Sequence, residues 1–410
     1  MSSVNYWMIS NQITNKERSK YVSFDMLSKL QGKLRSFYGI GDLNDHYSEI
    51  PLWIAQVEDL LQQANPYLKS SIRIITTSNI KEIKVDPNSI NVFSVMKSNI
   101  KHLINAIPKF PDDSVLWIGG YNIPELVQSL RGTTVNAKIS YFNDLDALKR
   151  KLLGEAADTI NGSSMYITPN FNLFKGVRVI PRIALSRGCK NNCSFCTIPK
   201  CVTFAEYSYD DVLLQIDTLN GLIFDYVYVD DKTFGQGANH IWLKGLYDKI
   251  IQFNSTFKGF IIQTTSNLLD NNKFITTLVN SHVKFVEVGI ESYNDRILQF
   301  INKGTTVDKI NSALGKLKQT DIKVIPNLII GIPNETFEEV LNTAYFIRDN
   351  GFDLVNLFLY TDYSLNQTEL DYQRIFANPL NESFVNILAL HFMHQHRSYY
   401  SLNQSSNLIL

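Results

Sequence analysis

Ser186-Arg187-Gly188-Cys189-Lys190-Asn191-Asn192-Cys193-Ser194-Phe195-Cys196 places three thiols within eight residues. The chain has only four cysteines, and the fourth, Cys201, lies five residues further on. A disulfide scaffold spreads its cysteines along the chain to close loops, so this cluster reads instead as a metal site in a reducing compartment. Thiolates suit zinc or iron–sulfur clusters. Three ligands on a four-iron cube leave one iron free to bind something else, which would be the chemical purpose of such a loop. The alternatives are a structural zinc knuckle, or a closed cluster that includes Cys201. A closed zinc site usually draws on two separated ligand pairs, and no second pair lies nearby. The only histidine cluster, His391, His394 and His396, is far away in the tail. Cys201 sits on the way out of the loop and is read as a non-ligand.

The loop follows an apolar strand, Arg182–Ser186, and that strand opens a run of six strand-then-helix units. The other strands are expected at Asp225–Asp230, Gly259–Gln263, Lys284–Gly289, Lys323–Ile330 and Asp353–Leu359. In the first helix Ser208 can cap, Asp210 and Asp211 suit the positive end, and Val212, Leu213, Ile216 and Leu219 form the apolar stripe. Asn334 to Glu339 opens the fifth helix similarly. Six βα units make a partial (β/α) barrel of TIM type, with ligands expected at the carboxyl ends of its strands.

Upstream, four apolar runs read as buried strands: Tyr6–Ile9, Ile72–Ile75, Ile90–Val95 and Ser114–Ile118, the last ending in Gly119-Gly120. Between them, Val57 to Ala64 and Ile100 to Ile107 carry apolar residues at helical spacing. Alternation of this kind predicts an α/β, doubly wound, Rossmann-like parallel sheet. The expected boundaries are 1–162 for this domain, 163–176 for a connector rich in turn residues, 177–361 for the barrel and 362–410 for a tail, partly helical near Phe384–Met393. The stretch from Arg18 to Ile50 has no readable pattern.

Composition sets limits. A length of 410 residues suggests two or three domains at roughly 150 residues each. Hydrophobic residues at 44% allow large cores. Lys+Arg 39 balances Asp+Glu 39, which argues against a dedicated electrostatic grip on nucleic acid or an anionic membrane. No segment approaches the apolar length of a membrane span, and Met1 to Lys20 lacks the apolar core of a secretion signal. A cytoplasmic protein is expected.

The cysteine loop, with Phe195 before its third cysteine, resembles the CxxxCxxC loop of the radical S-adenosylmethionine (radical SAM) superfamily. Asp230-Asp231-Lys232-Thr233-Phe234, Gly289-Ile290-Glu291-Ser292 with Asn302-Lys303-Gly304, and Asn327 to Pro333 are similar to that superfamily's second, fourth and fifth strand ends. In the domain expected at 1–162 (region one), Phe93-Ser94-Val95-Met96 and Val115 to Gly120 resemble the cobalamin-binding domain of one subgroup. No D-x-H-x-x-G motif occurs, and Asp45-His46 lacks the spacing, so a domain without cobalamin stays open.

The resemblance implies a [4Fe–4S] cluster on Cys189, Cys193 and Cys196. It implies S-adenosylmethionine on the fourth iron, and a reduced cluster that cleaves it to a 5′-deoxyadenosyl radical. Phe195, Asp230, Asp231, Glu291 and Asn327 become candidate contacts for S-adenosylmethionine, and Ser94, Gly119 and Gly120 for cobalamin. The neutral reading of Phe195 is loop packing, that of Asp230 and Asp231 a helix cap, and that of Gly119-Gly120 a tight turn. Arg187, Lys190 and Lys200 would offset the cluster's charge or meet a reductant such as flavodoxin or ferredoxin. The implied activity is a C-methyltransferase acting on a small molecule, lipid or peptide. Radical rearrangement or oxidation, or a non-catalytic iron–sulfur or zinc protein, are the alternatives. Methylthiotransferases resemble the chain around Cys196 to Lys200, but they bring three further cysteines from their N-terminal domain, and region one has none.

Overall fold

The computed structural model describes residues 3–359 apart from 11–50, 77–82, 96–98, 121, 155–165, 177, 197–201, 331, 351 and 353–355. Expectations for Arg18 to Ile50, Asp45-His46, Met96, Lys200, Cys201, the tail helix and the tail histidines lie outside the described residues.

The described part of Met1–Thr14 and Asp45–Pro181, with Asp210–Ile223, forms one compact unit. Its elements are β1 (Ser3–Ser10), α1 (Leu52–Ala64), β2 (Lys69–Thr76), β3 (Ser89–Ser94), α2 (Ile100–Ala106), β4 (Val115–Gly119), α3 (Ile123–Leu130), β5 (Lys138–Phe142) and α4 (Leu145–Leu153). All strands are parallel, in the order β2-β1-β3-β4-β5. Successive residues of a strand point to opposite faces, and β1 displays both. Trp7 joins the apolar core formed with α2 and α3. Tyr6 turns the other way, and its hydroxyl donates to the buried Glu58 carboxylate of α1 at 2.7 Å. Helices therefore cover both faces, as a doubly wound sheet requires.

The pattern of region one anticipates four of these strands. The fifth, β5, and the helix after it were not anticipated. β5 is a half-buried edge strand with Lys138 and Ser140 among its residues, too polar to stand out as an apolar run. The signal that could have found α4 is Asp144, whose side chain accepts from the Ala147 backbone N–H as an N-cap.

The sheet order reverses between β1 and β3, the place where doubly wound folds bind ligands beyond their strand ends. Ser94 and Gly119 stand opposite one another at the carboxyl ends of β3 and β4. Gly120 has a firm structural reason to be glycine: φ is 121°, and a Cβ there would sit 2.3 Å from the Val95 carbonyl oxygen. Gly119 has room, with its nearest neighbour at 3.7 Å.

The described part of Arg182–Tyr209 and Phe224–Leu410 forms the second unit. The chain runs through β6 (Arg182–Ile183), β7 (Ser186–Arg187), β8 (Ala205–Glu206), α5 (Tyr209–Thr218, mostly assigned to the first unit), β9 (Tyr226–Val229), α6 (Leu243–Ile250), β10 (Gly259–Thr265), α7 (Ser266–Leu269), α8 (Asn272–Asn280), β11 (Val283–Glu291), α9 (Asp295–Phe300), α10 (Val307–Leu317), β12 (Lys323–Ile330), α11 (Phe337–Asn350) and β13 (Asn356–Leu359). Six parallel strands lie in chain order, β13-β12-β11-β10-β9-β6, the partial barrel expected from the βα repeat. One difference concerns the first strand. It is interrupted after Ile183, and Ser186–Arg187 leaves the sheet to pair antiparallel with Ala205–Glu206, so the cysteine loop hangs from a small hairpin of its own.

Replacing Gly120 by alanine should destabilise the first unit by at least about 2 kcal/mol, from the left-handed φ and the clash together. Urea unfolding checks this; an unchanged midpoint would leave the glycine to a ligand instead of the fold.

Candidate functional site

The cysteine loop is held from several sides. Gly188 has φ 71°, and a Cβ there would lie 2.7 Å from the backbone of Val202 and Thr203, so only glycine fits between hairpin strand and first cysteine. Asp231 is buried, and one carboxylate oxygen accepts from the backbone N–H groups of Leu185 and Ser186 at 2.8 and 2.9 Å. Its other oxygen accepts from the Ser186 hydroxyl at 2.7 Å. Asn239 donates to the Leu185 carbonyl at 2.8 Å. Neither Asn239 nor the Asp231 grip was visible in the sequence, because the partners are about fifty positions apart. Burial pushes the Asp231 carboxyl up to about 6, against the hydrogen bonds from Ser186 and Leu185.

On the far side, Ser194 N–H donates to the Ile301 carbonyl at 2.9 Å, and the Asn302 side chain donates to the Asn192 carbonyl at 2.7 Å. Asn302 has φ 51°, a conformation asparagine tolerates better than most residues. Asn302-Lys303-Gly304 is thus the turn that closes on the cysteine loop.

Within the loop, Cys193 is buried, and Cys189 and Cys196 are half-buried. The Asn191 N–H points at the Cys189 sulfur at 3.4 Å, and the Thr233 hydroxyl lies at the same distance from it. Burial pushes the Cys193 thiol up, Lys303 opposes that, and the charges of Cys196 and Cys189 add to it. Among the described residues, no three His, Cys, Asp or Glu side chains are grouped as ligands of a single metal ion. Three soft donors with no carboxylate or imidazole among them suit an iron–sulfur cube better than a hard cation.

Phe195 is half-buried against Ile297, Ile301, Ile329 and Ile332, so packing is a role it fills. Lys190 binds away from the thiols: its ammonium donates to the Gln236 carbonyl at 2.7 Å and lies 4.4 Å from the Phe204 ring centre.

The remaining candidates sit at strand ends. Asp230 follows β9 and pairs with Arg182 at 2.6 Å and Lys232 at 3.5 Å. Burial would raise its carboxyl, but Lys232 and Arg182 outweigh burial and hold it below the usual range. Asp231, its neighbour, is already committed to Ser186, so the two adjacent carboxylates have different roles. Glu291 ends β11 with φ 67° and pairs with the buried Lys303 at 2.6 Å. A Cβ on Gly289 would lie 2.7 Å from the Lys303 nitrogen and 2.8 Å from the Glu291 carboxylate; that glycine makes room for the ion pair. Asn327 is buried, in register with Gly289 and with Asn356. The same sheet face carries Tyr228, with the Arg182 guanidinium 4.2 Å from its ring centre and its hydroxyl donating to Glu287 at 3.0 Å. These three polar residues lie inside strands that read simply as apolar runs.

Residues 183–347 match the Radical SAM superfamily. That match spans 165 of the chain's 410 residues. Among curated relatives, the chain is 24% identical over 192 residues to the ribosomal protein uS12 methylthiotransferase RimO of Thermosipho melanesiensis, covering 44% of each chain. It is 28% identical over 193 residues to the tRNA-2-methylthio-N(6)-dimethylallyladenosine synthase of Pseudomonas aeruginosa, covering 44% of this chain and 42% of the relative. The chain thus spans less than half the length of these relatives. Among solved structures, the radical SAM methyltransferase TsrM of Kitasatospora setae, described with cobalamin and a [4Fe–4S] cluster bound, superposes with TM-score 0.51 at 12% identity. That match covers 77% of this chain and 72% of TsrM. The cobalamin-dependent radical enzyme OxsB, in its apo form, also gives 0.51 at 13% identity, covering 98% of this chain and 57% of OxsB. At such identities the likeness establishes fold: an α/β chain with the parallel-sheet architecture of cobalamin-type radical SAM proteins. The radical SAM domain implies a [4Fe–4S] cluster and S-adenosylmethionine as its cofactors.

Asp231→Asn should loosen the radical SAM loop by about 1–3 kcal/mol, since an amide cannot replace every accepting bond. The raised folded-state carboxyl also fixes a sign. Its contribution to stability is full below 3.8, the ordinary carboxyl value, and is lost as pH rises through about 6. The stability gap between the native chain and Asp231→Asn, measured by urea unfolding of the reduced apoprotein, should therefore shrink across that window. A gap that widens there would contradict the assignment.

Proposed function

We propose that the chain is a radical SAM enzyme in which Cys189, Cys193 and Cys196 hold the [4Fe–4S] cluster, acting as a cobalamin-dependent methyltransferase to carbon. The observation that carries the reading is three thiols of one short loop, held from both sides, at the head of a six-stranded parallel sheet. When bound and reduced, the cluster supplies the electron that cleaves S-adenosylmethionine to a 5′-deoxyadenosyl radical.

The chain's own residues bind, orient and enclose. Asp231 and Asn239 fix the start of the loop, and Ile301 and Asn302 fix its middle. Asp230, held ionised by Lys232 and Arg182, is a strong acceptor for an ammonium group. Glu291 and Asn327 offer further polar contacts for the nucleotide. Phe195, packed on its isoleucines, keeps water from one side of the thiols and leaves ring edge for an adenine. Ser94 and Gly119, beside the reversal point of the first sheet, are the cobalamin candidates, and support comes from the fold shared with TsrM and OxsB.

Methylthio transfer is the second reading, favoured by the curated relatives. Against it stands the cysteine count: all four lie between positions 189 and 201, leaving no second triplet for a second cluster. An emptied first domain serving another radical reaction is the third. The boundaries 1–162, 163–176, 177–361 and 362–410 serve as the working division. A flavodoxin or ferredoxin would supply electrons, and a cytoplasmic setting suits the reduced thiols.

Anaerobic reconstitution with iron and sulfide, with S-adenosylmethionine and dithionite added, tests the reading. The native chain and Cys201→Ala should bind about four irons and release 5′-deoxyadenosine or S-adenosylhomocysteine. Cys189→Ala, Cys193→Ala and Cys196→Ala should each lower iron retention and cleavage by at least tenfold. Retention of a single zinc, with no cleavage, would overturn it. Expression with hydroxocobalamin, followed by extraction, decides the methyl-transfer branch: about one corrinoid per chain supports it, and none removes it.

A further inference from the structure

The ion pair between Lys303 and Glu291 is almost wholly removed from water, with side-chain exposures of 6% and 9%. A buried cation is costly unless its surroundings are negative, and one carboxylate would suffice. Yet Lys303 also meets the cysteine loop. Its ammonium lies 5.9 Å from the centre of the Phe195 ring, within the range where a cation and an aromatic face attract. The residues just before it, Ile301 and Asn302, make the hydrogen bonds that hold Ser194 and Asn192. The amine is thus fixed to the loop by backbone, not by a flexible stem alone. Burial alone would push the amine toward its neutral form; Glu291 and Cys193 reverse that and keep it charged.

We propose, resting on the cluster assignment above, that Lys303 is the fixed charge that sets the reduction potential of the [4Fe–4S] cluster, with Glu291 as its opposing trim. Adding an electron adds negative charge, and cluster potentials respond to nearby charge, hydrogen bonding and exposure. A buried cation packed against the cysteine loop favours the reduced cluster, and the carboxylate paired with it moderates the effect.

The test is a dithionite titration of the reconstituted cluster followed by electron paramagnetic resonance, without S-adenosylmethionine. Lys303→Met should make the midpoint more negative, with at least a tenfold change in the oxidised-to-reduced ratio at fixed potential, about 59 mV for one electron. Glu291→Gln should move it the opposite way by a smaller amount. Lys303→Arg should restore most of the native value, which a packing role for the aliphatic stem would not require. If Lys303→Met fails to fold, Glu291→Gln still decides: a positive shift supports the proposal and an unchanged or negative one overturns it. Clusters that assemble normally but share one potential overturn the proposal alone. A native chain that assembles no cluster overturns the cluster assignment with it.

Discussion

A loop carrying three thiols in eight residues cannot form enough backbone hydrogen bonds of its own to stay in place, so its rigidity has to be borrowed. Here it is borrowed from three places in the barrel sequence. The Asp231 carboxylate takes Leu185 and Ser186, Asn239 takes Leu185 from the other side, and the turn at Ile301 and Asn302 takes Ser194 and Asn192. Remove these and the sulfurs have no common geometry. Several sequence features make sense only as servants of this constraint: Gly188 because the hairpin backbone passes too near for a side chain, and Gly289 because an ion pair occupies its space.

The electrostatics follow the same plan. Acidic groups near the thiols are each answered. Asp230 is met by Arg182 and Lys232, and Glu291 by Lys303. Asp231 is met by hydrogen bonds from Leu185 and Ser186, and burial pushes its carboxyl up to about 6. Two neighbouring carboxylates thereby take different work, one paired with cations and offered as an acceptor, the other held as a structural anchor.

The barrel was legible in the sequence because its strands are short apolar runs separated by helical stripes, and the cysteine spacing marked which strand end mattered. The hairpin at Ser186–Arg187 was not legible, because two-residue strands carry no periodicity. β5 escaped because an edge strand need not be apolar on both faces. At the site, the thiols proposed as ligands were readable from their chemistry, whereas the residues that hold their loop were not. Asn239, Tyr228, Glu287 and the Asp231–Ser186 pair act across about fifty positions, and local pattern says nothing about that. Gly120 illustrates the converse. It was read as a cofactor contact, and it has a sufficient cause in the close approach of Val95.

The central claim is that three thiols hold a cluster with one position reserved for S-adenosylmethionine. The most direct measurement is the electron paramagnetic resonance spectrum of the reduced, reconstituted protein before and after S-adenosylmethionine is added. Direct binding at the cluster should change the g-values of the signal. Superimposable spectra at saturating S-adenosylmethionine would contradict the account.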